Sequence, residues 1–266
     1  MPAVALAMTS HERDDRLVDL AEAQLPALAD RYTALIAYCS RDTHPALLAV
    51  LRRCGATVHL DSTEAAGIQQ LGIIRRETLR AGLLAGTSHL QLCDFDRAIH
   101  WSACCPGEMD AIAAEIPSYD LLVLGRTERA WASHPPYQAE TEPLFNKTFA
   151  LVSGRSWDIG AGSRGLSRRA AETLLETSQE PTIGVDAEWP LLLLNRPGFC
   201  VGYRPCEGLE FETADRFGAE IEAAGGYAAW EAQMSADPGR WVLRLRVALL
   251  IAEAAVRYGA GHLRDA

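Results

Sequence analysis

Residues 72–96 read GIIRRETLRAGLLAGTSHLQLCDFD. The first part repeats apolar residues at helical spacing and closes on Gly86. The second part is a short apolar run that ends in two aspartates, Asp94 and Asp96, one residue apart. A helix followed by a strand-length apolar run is one half of a parallel crossover unit. Two carboxylates that close repel each other, and they stay ionised cheaply only in water or on a cation. The stretch therefore predicts a helix, a buried strand and a charged edge.

The same alternation extends to both sides. AVALAMTS (3–10) reads as a strand, and DDRLVDLAEAQLPALADRY (14–32) as a helix that Pro26 bends or breaks. TALIAYCS (33–40) is a second strand. THPALLAVLRRCG (43–55) is a helix with a threonine cap, an early proline and a closing glycine. ATVHLDS (56–62) is a third strand, SHLQLCDFD a fourth, PGEMDAIAAEIP a helix and YDLLVLGR (119–126) a fifth strand. Strands alternating with helices imply parallel pairing through right-handed crossovers. Past residue 127 the pattern weakens. TERAWASHPPYQAETEPLFNKTF is polar, aromatic and proline-containing, and reads as a loop over the domain. WDIGAGSRGLSRRAAETLLET is a glycine-rich loop opening a helix capped by Ser167. GVDAEWPLLLLNRPG is a short apolar helix, and FCVGYRPCEGLEFET a strand plus loop. The expected architecture is α/β: a mostly parallel sheet flanked by helices, an irregular second half and a C-terminal helix. It is read as one domain over 1–266, with a nucleotide-binding half (1–127), an acceptor half (128–235) and a C-terminal helix (236–266).

The 266 residues are 48% hydrophobic, enough for a substantial core, and the formal net charge is -10. That charge argues against nucleic acid as a partner, since a nucleic-acid binder carries a basic footprint. Lys147 is the one lysine among 25 basic residues, a bias read as coding composition. Seven cysteines, with none in a CxxC pair and Cys104 beside Cys105, suit reduced thiols and a cytoplasmic location. The opening MPAVALAMTSHERDD lacks a basic n-region and reads as a strand, not a signal peptide. No apolar run of about 20 residues is present to span a membrane. WVLRLRVALLIAEAAVRYG (241–259) is interrupted by Arg244, Arg246 and Glu253, and reads as an amphipathic helix that packs on the domain or on a second subunit as a homodimer.

In open α/β sheets ligands bind outside the carboxyl ends of the strands. The aspartate pair falls at that edge. On a strand Asp94 and Asp96 point the same way with Phe95 opposite, a geometry for one divalent cation and one diphosphate. The residue order resembles the GT-A-fold glycosyltransferases, the family-2-like group that uses nucleotide-diphosphate sugars. AMTSHERDD is similar to that family's first strand and loop, HLDST ends the third strand, and the 72–96 stretch resembles the segment leading to the DxD. GAGSRGLSRRAAETLL resembles the loop and helix after the acceptor region, and GVDAEWPLLLLNRPGFCVGY the segment with the catalytic acid. The likeness covers roughly residues 3–205 and lies in the order of parts.

The resemblance implies an enzyme that moves a hexosyl group from a nucleotide-diphosphate sugar to an acceptor hydroxyl, with Mg2+ or Mn2+ as cofactor. Thr9, Ser10, Asp61, Arg76, Asp94 and Arg164 would hold the nucleotide, and Asp94 and Asp96 the metal. The family's ED reads DAE here, so Glu188 is the closest match to the base and Asp186 its rival. Inverting and retaining chemistry both stay open. Trp157 and Asp158 would border the donor sugar. His134, Tyr137, Glu140, Glu142, Asn146 and Lys147 suit a sugar or acceptor pocket or a folded-over loop. His100, Trp101, Arg168 and Arg169 read first as packing or solvated-face residues. Other classes remain: a nucleotide-sugar-binding protein without turnover, a haloacid-dehalogenase-type phosphatase and a nucleotidyltransferase. The phosphatase pattern has Thr or Val where this chain has Ala98, and the nucleotidyltransferase pattern has a glycine-rich first loop that SHERDD lacks.

Overall fold

A computed structural model describes residues 4–259 of the chain. In order come β1 (Val4–Ser10), α1 (Val18–Arg31), β2 (Ala34–Cys39), α2 (Pro45–Arg53), β3 (Thr57–Leu60), α3 (Leu71–Leu83), β4 (His89–Asp94), α4 (Phe95–Cys104), α5 (Pro106–Glu115) and β5 (Leu121–Arg126). Then follow α6 (Glu128–Ala132), α7 (Pro136–Ala139), α8 (Glu142–Ser153), β6 (Ser163–Ser167), α9 (Arg168–Thr177), α10 (Val185–Leu194) and β7 (Val201–Cys206). A 3-10 turn (Glu212–Phe217), α11 (Gly218–Ala223), α12 (Tyr227–Ser235) and α13 (Pro238–Gly259) complete the described chain. Residue 3 of the expected first strand and residues 260–266 of the expected C-terminal helix lie outside the described residues.

The strands form one mixed sheet in the order β3-β2-β1-β4-β6-β5-β7. All neighbours run parallel except β6, which is antiparallel to both β4 and β5. The expected α/β architecture, a mostly parallel sheet flanked by helices, is therefore present. Strands buried on both faces read as near-continuous apolar runs; β1 (VALAMTS) and β5 (LLVLGR) do so here. One core lies between the sheet and α1, α2, α4 and α5, around Leu6, Leu25, Phe95 and Ile112. The other lies between the sheet and α3, α8, α9, α10 and α13, around Leu90, Phe149, Trp189 and Ile251.

Four expectations change. Pro26 sits inside a continuous α1. Thr43 does not cap α2; His44 holds that position, and Thr43 pairs with Ser40 (3.2 Å) instead. The 127–149 stretch folds into three helices, because Thr127 caps α6 with its side chain and prolines open α7 and α8. Residues 163–167, expected as loop, are the central antiparallel strand β6, and Ser167 caps α9 as expected by accepting from Ala170 N. The C-terminal helix is α13; Val247, Ala248, Ile251, Ala254 and Ala255 are buried beside α8 and α10. No helix among the described residues is long and apolar enough to cross a membrane.

Candidate active site

The sheet register gathers the first group of residues. Thr9 pairs with Tyr38 across β1–β2 and with Asp94 across β1–β4, so all three stand in one row at the carboxyl edge. Beside that row opens a cavity of about 240 Å³ lined by Thr9, Ser10, Tyr38, Asp61, Ile68 and Ile74, among others. Three of the expected nucleotide-binding residues, Thr9, Ser10 and Asp61, thus share one pocket. Asp61 Oδ1 accepts from Tyr38 Oη (2.7 Å), Thr63 N (2.8 Å) and Thr63 Oγ1 (2.7 Å). Burial opposes its charge, but those donors, Tyr38 first, hold the carboxyl below its ordinary range. It is a fixed, ionised acceptor. Tyr38, which supplies one of these donors, carries no sequence signal beyond its place at the end of an apolar strand.

The aspartate pair is not arranged as a strand would arrange it. β4 ends at Asp94, whose backbone is extended (φ -70°, ψ 144°), and Asp96 lies in the first turn of α4. A carboxylate in a first turn is favoured by the unpaired N–H groups there, and Asp96 Oδ1 accepts from Arg97 N at 2.9 Å. The two carboxylates thus leave from different elements, a strand end and a helix turn. Asp96 Oδ2 accepts from Arg216 Nη2 (2.7 Å), which also donates to Glu12 Oε1 (2.6 Å). Asp94, about a third exposed, lies 3.7 Å from Arg75 Nη2. Gly162, at φ +68°, sits against Asp94: a Cβ there would lie 2.9 Å from Oδ2. Both the conformation and the space require glycine.

Carboxylates outnumber what their partners neutralise. Glu12 is pushed up from 4.5 to about 7 by burial, with Arg216 opposing. Asp96 is pushed up from 3.8 to about 6 by burial first and then by Glu212. Glu212 is paired with Arg97 (2.9 Å), and Arg97 also donates to the carbonyl of Ala161 just before β6. Glu212 and Arg216 were not legible as site residues, since they come from a 3-10 turn distant in sequence, and Glu12, though only two residues past Ser10, carries no signal beyond an acidic loop position.

Arg76, the arginine expected at the diphosphate, is not the one beside Asp94. Arg76 donates to Ser178 Oγ (3.1 Å) and the Glu180 carbonyl (2.7 Å), away from the aspartates. One residue along a helix is a turn of about 100°, and Arg75 is the one that faces Asp94. Arg164, placed on β6 and not in a loop, is 1% exposed and pairs with Asp186, which also pairs with Arg75. Asp186 is thus clamped between two guanidinium groups. Glu188 is fully buried; it accepts from Ser178 Oγ (2.6 Å), Gln179 N (2.7 Å) and Glu180 N (3.0 Å). Both oxygens of Glu188 serve the 178–180 turn, so the structure does not bring it to the aspartates.

A second hollow, of about 460 Å³, is lined by Trp131, Asn146, Lys147, Trp157, Asp158 and Tyr203, among others. It opens near the carboxyl end of β5, where Asp158 Oδ2 accepts from Arg126 N (2.9 Å) and Nε (2.7 Å). Burial opposes, but Arg126 holds the Asp158 carboxyl down at about 2. Trp157 stacks on Tyr203 (5.6 Å, 9°). Of the 134–147 group, Asn146 and Lys147 reach this hollow. His134 is buried, with Nδ1 on the Ala130 carbonyl (2.9 Å) and its pKa lowered to about 3 by burial. Glu142 is buried on Arg126 (2.6 Å), Tyr137 is buried and Glu140 exposed. Arg168 binds the carbonyls of Leu83 and Thr87, and Arg169 binds Asp120, so both hold the fold together.

No family model matches the chain, and no curated protein matches it. Solved structures do. Glucosyl-3-phosphoglycerate synthase from Mycobacterium tuberculosis, in complex with phosphoglyceric acid, is 14% identical, with 76% of this chain and 69% of that chain covered and a TM-score of 0.46. The same enzyme with Mn2+, uridine-diphosphate and phosphoglyceric acid is 13% identical over 76% and 68%, with a TM-score of 0.45. A mycobacterial protein is 14% identical over 85% and 76%, with a TM-score of 0.49.

Proposed function

We propose that the chain is a metal-dependent glycosyltransferase that takes a sugar from a nucleotide-diphosphate sugar to an acceptor hydroxyl. One observation carries the reading. The cavity holding Thr9, Ser10, Tyr38 and Asp61 lies one strand position from Asp94, with Asp96 and Glu12 behind it. A nucleoside in that cavity would place its diphosphate at the carboxylates. Asp61, ionised and fixed, would accept from a nucleoside hydroxyl or base N–H.

The carboxylates fit a hard divalent cation. Burial raises the proton affinities of Glu12 and Asp96, so a cation beside them would offset the cost of their charge, and carboxylate oxygens are what Mg2+ or Mn2+ takes. Asp94 and Asp96 would hold the ion, and when bound it supplies neutralisation of the leaving diphosphate. Arg75 backs Asp94, and Arg164 and Asp186 fix Arg75. The hollow with Trp157, Asn146 and Tyr203 is the acceptor or donor-sugar side of this reading, since stacked aromatic faces beside polar groups suit a sugar ring. Neither Glu188 nor Asp186 enters as base in this reading, because both oxygens of Glu188 hold the 178–180 turn and Asp186 is buried between Arg75 and Arg164. Stereochemistry is left to the anomer of the product, read by NMR.

The reading also takes the chain as cytoplasmic, supported by seven unpaired cysteines. A homodimer through α13 is supported by the exposed Leu245, Leu249 and Val256 on its outer face, and light scattering tests it. The functional experiment is titration calorimetry of UDP and GDP with and without Mn2+, on wild type, Asp94→Asn and Asp96→Asn. Metal-dependent binding lost in either variant supports the proposal. Absence of binding to a folded wild type overturns it. Binding with no sugar transfer across a donor panel would favour the binding protein without turnover.

A further inference from the structure

On the far end of α4 from the aspartates, His100 and Cys104 stand four residues apart and so share one helix face. Glu210, from the loop after β7, meets them. One ligand atom of each, the His100 ring nitrogen, Cys104 Sγ and a Glu210 carboxylate oxygen, all lie within 4.8 Å of one another. We propose that His100, Cys104 and Glu210 bind a zinc-type divalent metal, at a site separate from Asp94 and Asp96.

Four observations carry this. First, His100 is oriented for the task. Its Nδ1 lies 2.7 Å from Asp215 Oδ2, while Nε2 is buried without a hydrogen bond and 3.8 Å from Glu210 Oε1. A carboxylate on one ring nitrogen that leaves the other free is the arrangement metal-binding histidines use. Second, Glu210 is itself held: Oε2 accepts from Arg129 Nη1 (2.8 Å), leaving Oε1 toward His100. Third, the surroundings are acidic, with Glu207, Glu210, Glu212 and Asp215 within the same short segment. Fourth, a hollow of about 400 Å³ lined by His100, Glu210, Ser133, Phe211, Tyr227 and Glu231 adjoins the cluster. It gives a fourth, open coordination position to solvent or a small ligand.

The donor set selects the metal. One nitrogen, one sulfur and one oxygen suit tetrahedral Zn2+, with Zn–N about 2.0–2.1 Å and Zn–S about 2.3 Å. Such bonds set the donors roughly 3.3–3.8 Å apart, so side-chain adjustment from the present spacing suffices. Binding forms a metal–sulfur bond and releases the thiol proton to solvent, with no change of oxidation state. The ion would tie α4, whose first turn carries Asp96, to the segment bearing Glu212 and Arg216. Those residues contact Arg97 and Asp96, so the metal would brace one wall of the candidate active site.

The test uses Co2+ as a spectroscopic probe on the full chain stripped of metal, then Zn2+ as competitor. One equivalent of Co2+ should give a thiolate-to-metal charge-transfer band that Zn2+ abolishes. Cys104→Ser and His100→Gln should each lose the band, while Cys105→Ser and Asp94→Asn keep it, all with wild-type circular dichroism. Cys104 is exposed, so its serine variant is expected to fold. No band in wild type, a band that survives Cys104→Ser, or one lost with Cys105→Ser or Asp94→Asn would each overturn the assignment.

Discussion

Asp186→Ala isolates the buried charge beneath the candidate site. Asp186 is the acid between Arg75 and Arg164, and the three side chains are 1%, 3% and 1% exposed. Removing it leaves Arg75 with Asp94 at 3.7 Å. Arg164 keeps the face of Trp189, 5.4 Å away, and the attraction of Asp94, and its Nε and Nη1 have no hydrogen bond even now. An uncompensated buried charge costs about 3–5 kcal/mol. At about 2.1 cal/mol/K per residue the unfolding entropy of the chain is roughly 0.56 kcal/mol/K, so Tm should fall by about 5–9 °C. Scanning calorimetry at pH 7 reads this directly. The paired variant Asp186→Leu with Arg164→Met should recover most of the loss, because the cost is charge and not volume. A fall in Tm of less than about 2 °C for Asp186→Ala would refute the reasoning. So would a double variant as unstable as the single one.

Three further outcomes are expected. Glu12 and Asp96 have folded values of about 7 and about 6, above their ordinary 4.5 and 3.8. The folded state therefore binds more protons, and the stability these groups contribute is lost as pH rises from about 4 to about 7. Mg2+ should raise Tm at pH 7.5 more than at pH 5, and equal gains would contradict the carboxylate site. Gly72→Ala should cost about 1–3 kcal/mol, because a Cβ there would overlap the Glu180 carbonyl and lie 2.8 Å from the Thr182 carbonyl; urea unfolding measures it. Glu188→Gln should lose about 1–3 kcal/mol of stability yet leave nucleotide affinity unchanged, since its oxygens bind the 178–180 turn; a loss of nucleotide binding in the folded variant would return Glu188 to the site.

The first five strands were legible because each is an apolar run bounded by turn chemistry, and parallel strands advertise themselves that way. Thr9, Ser10 and Asp61 were placed by the family resemblance, and the strand order sets all three at the same carboxyl edge of the sheet. β6 was not legible. SRGLS is short, has Gly165 at its centre beside Arg164 and begins after Gly160 and Gly162, so its strand character comes from the neighbours β4 and β5 and not from its own propensity. The helix over Phe95–Cys104 was hidden by continuity: nothing in LCDFDRA marks the point where extended backbone ends, and Asp94 is equally at home on a strand end or a helix cap. Choosing between Arg75 and Arg76 needs the rotation of α3 to within a fraction of a turn, which its ends leave loose by a residue or two. The part played by Glu188 was not legible because an acid in the first turn of an apolar helix is favoured whether it does chemistry or holds a turn.

The placement of β6 has a consequence for how the chain is made. β4 and β5 leave the ribosome early, but they do not pair with each other; the strand that joins them, through Leu92 with Arg164 and Val123 with the same Arg164, is translated later. Until residue 167 has emerged, the nascent protein carries two long apolar strands with facing, unmatched backbone edges. Such edges recruit other strands, and closing distant pairings is slow. Fragments ending before β6 should aggregate or occupy chaperones, and fragments extending past it should not.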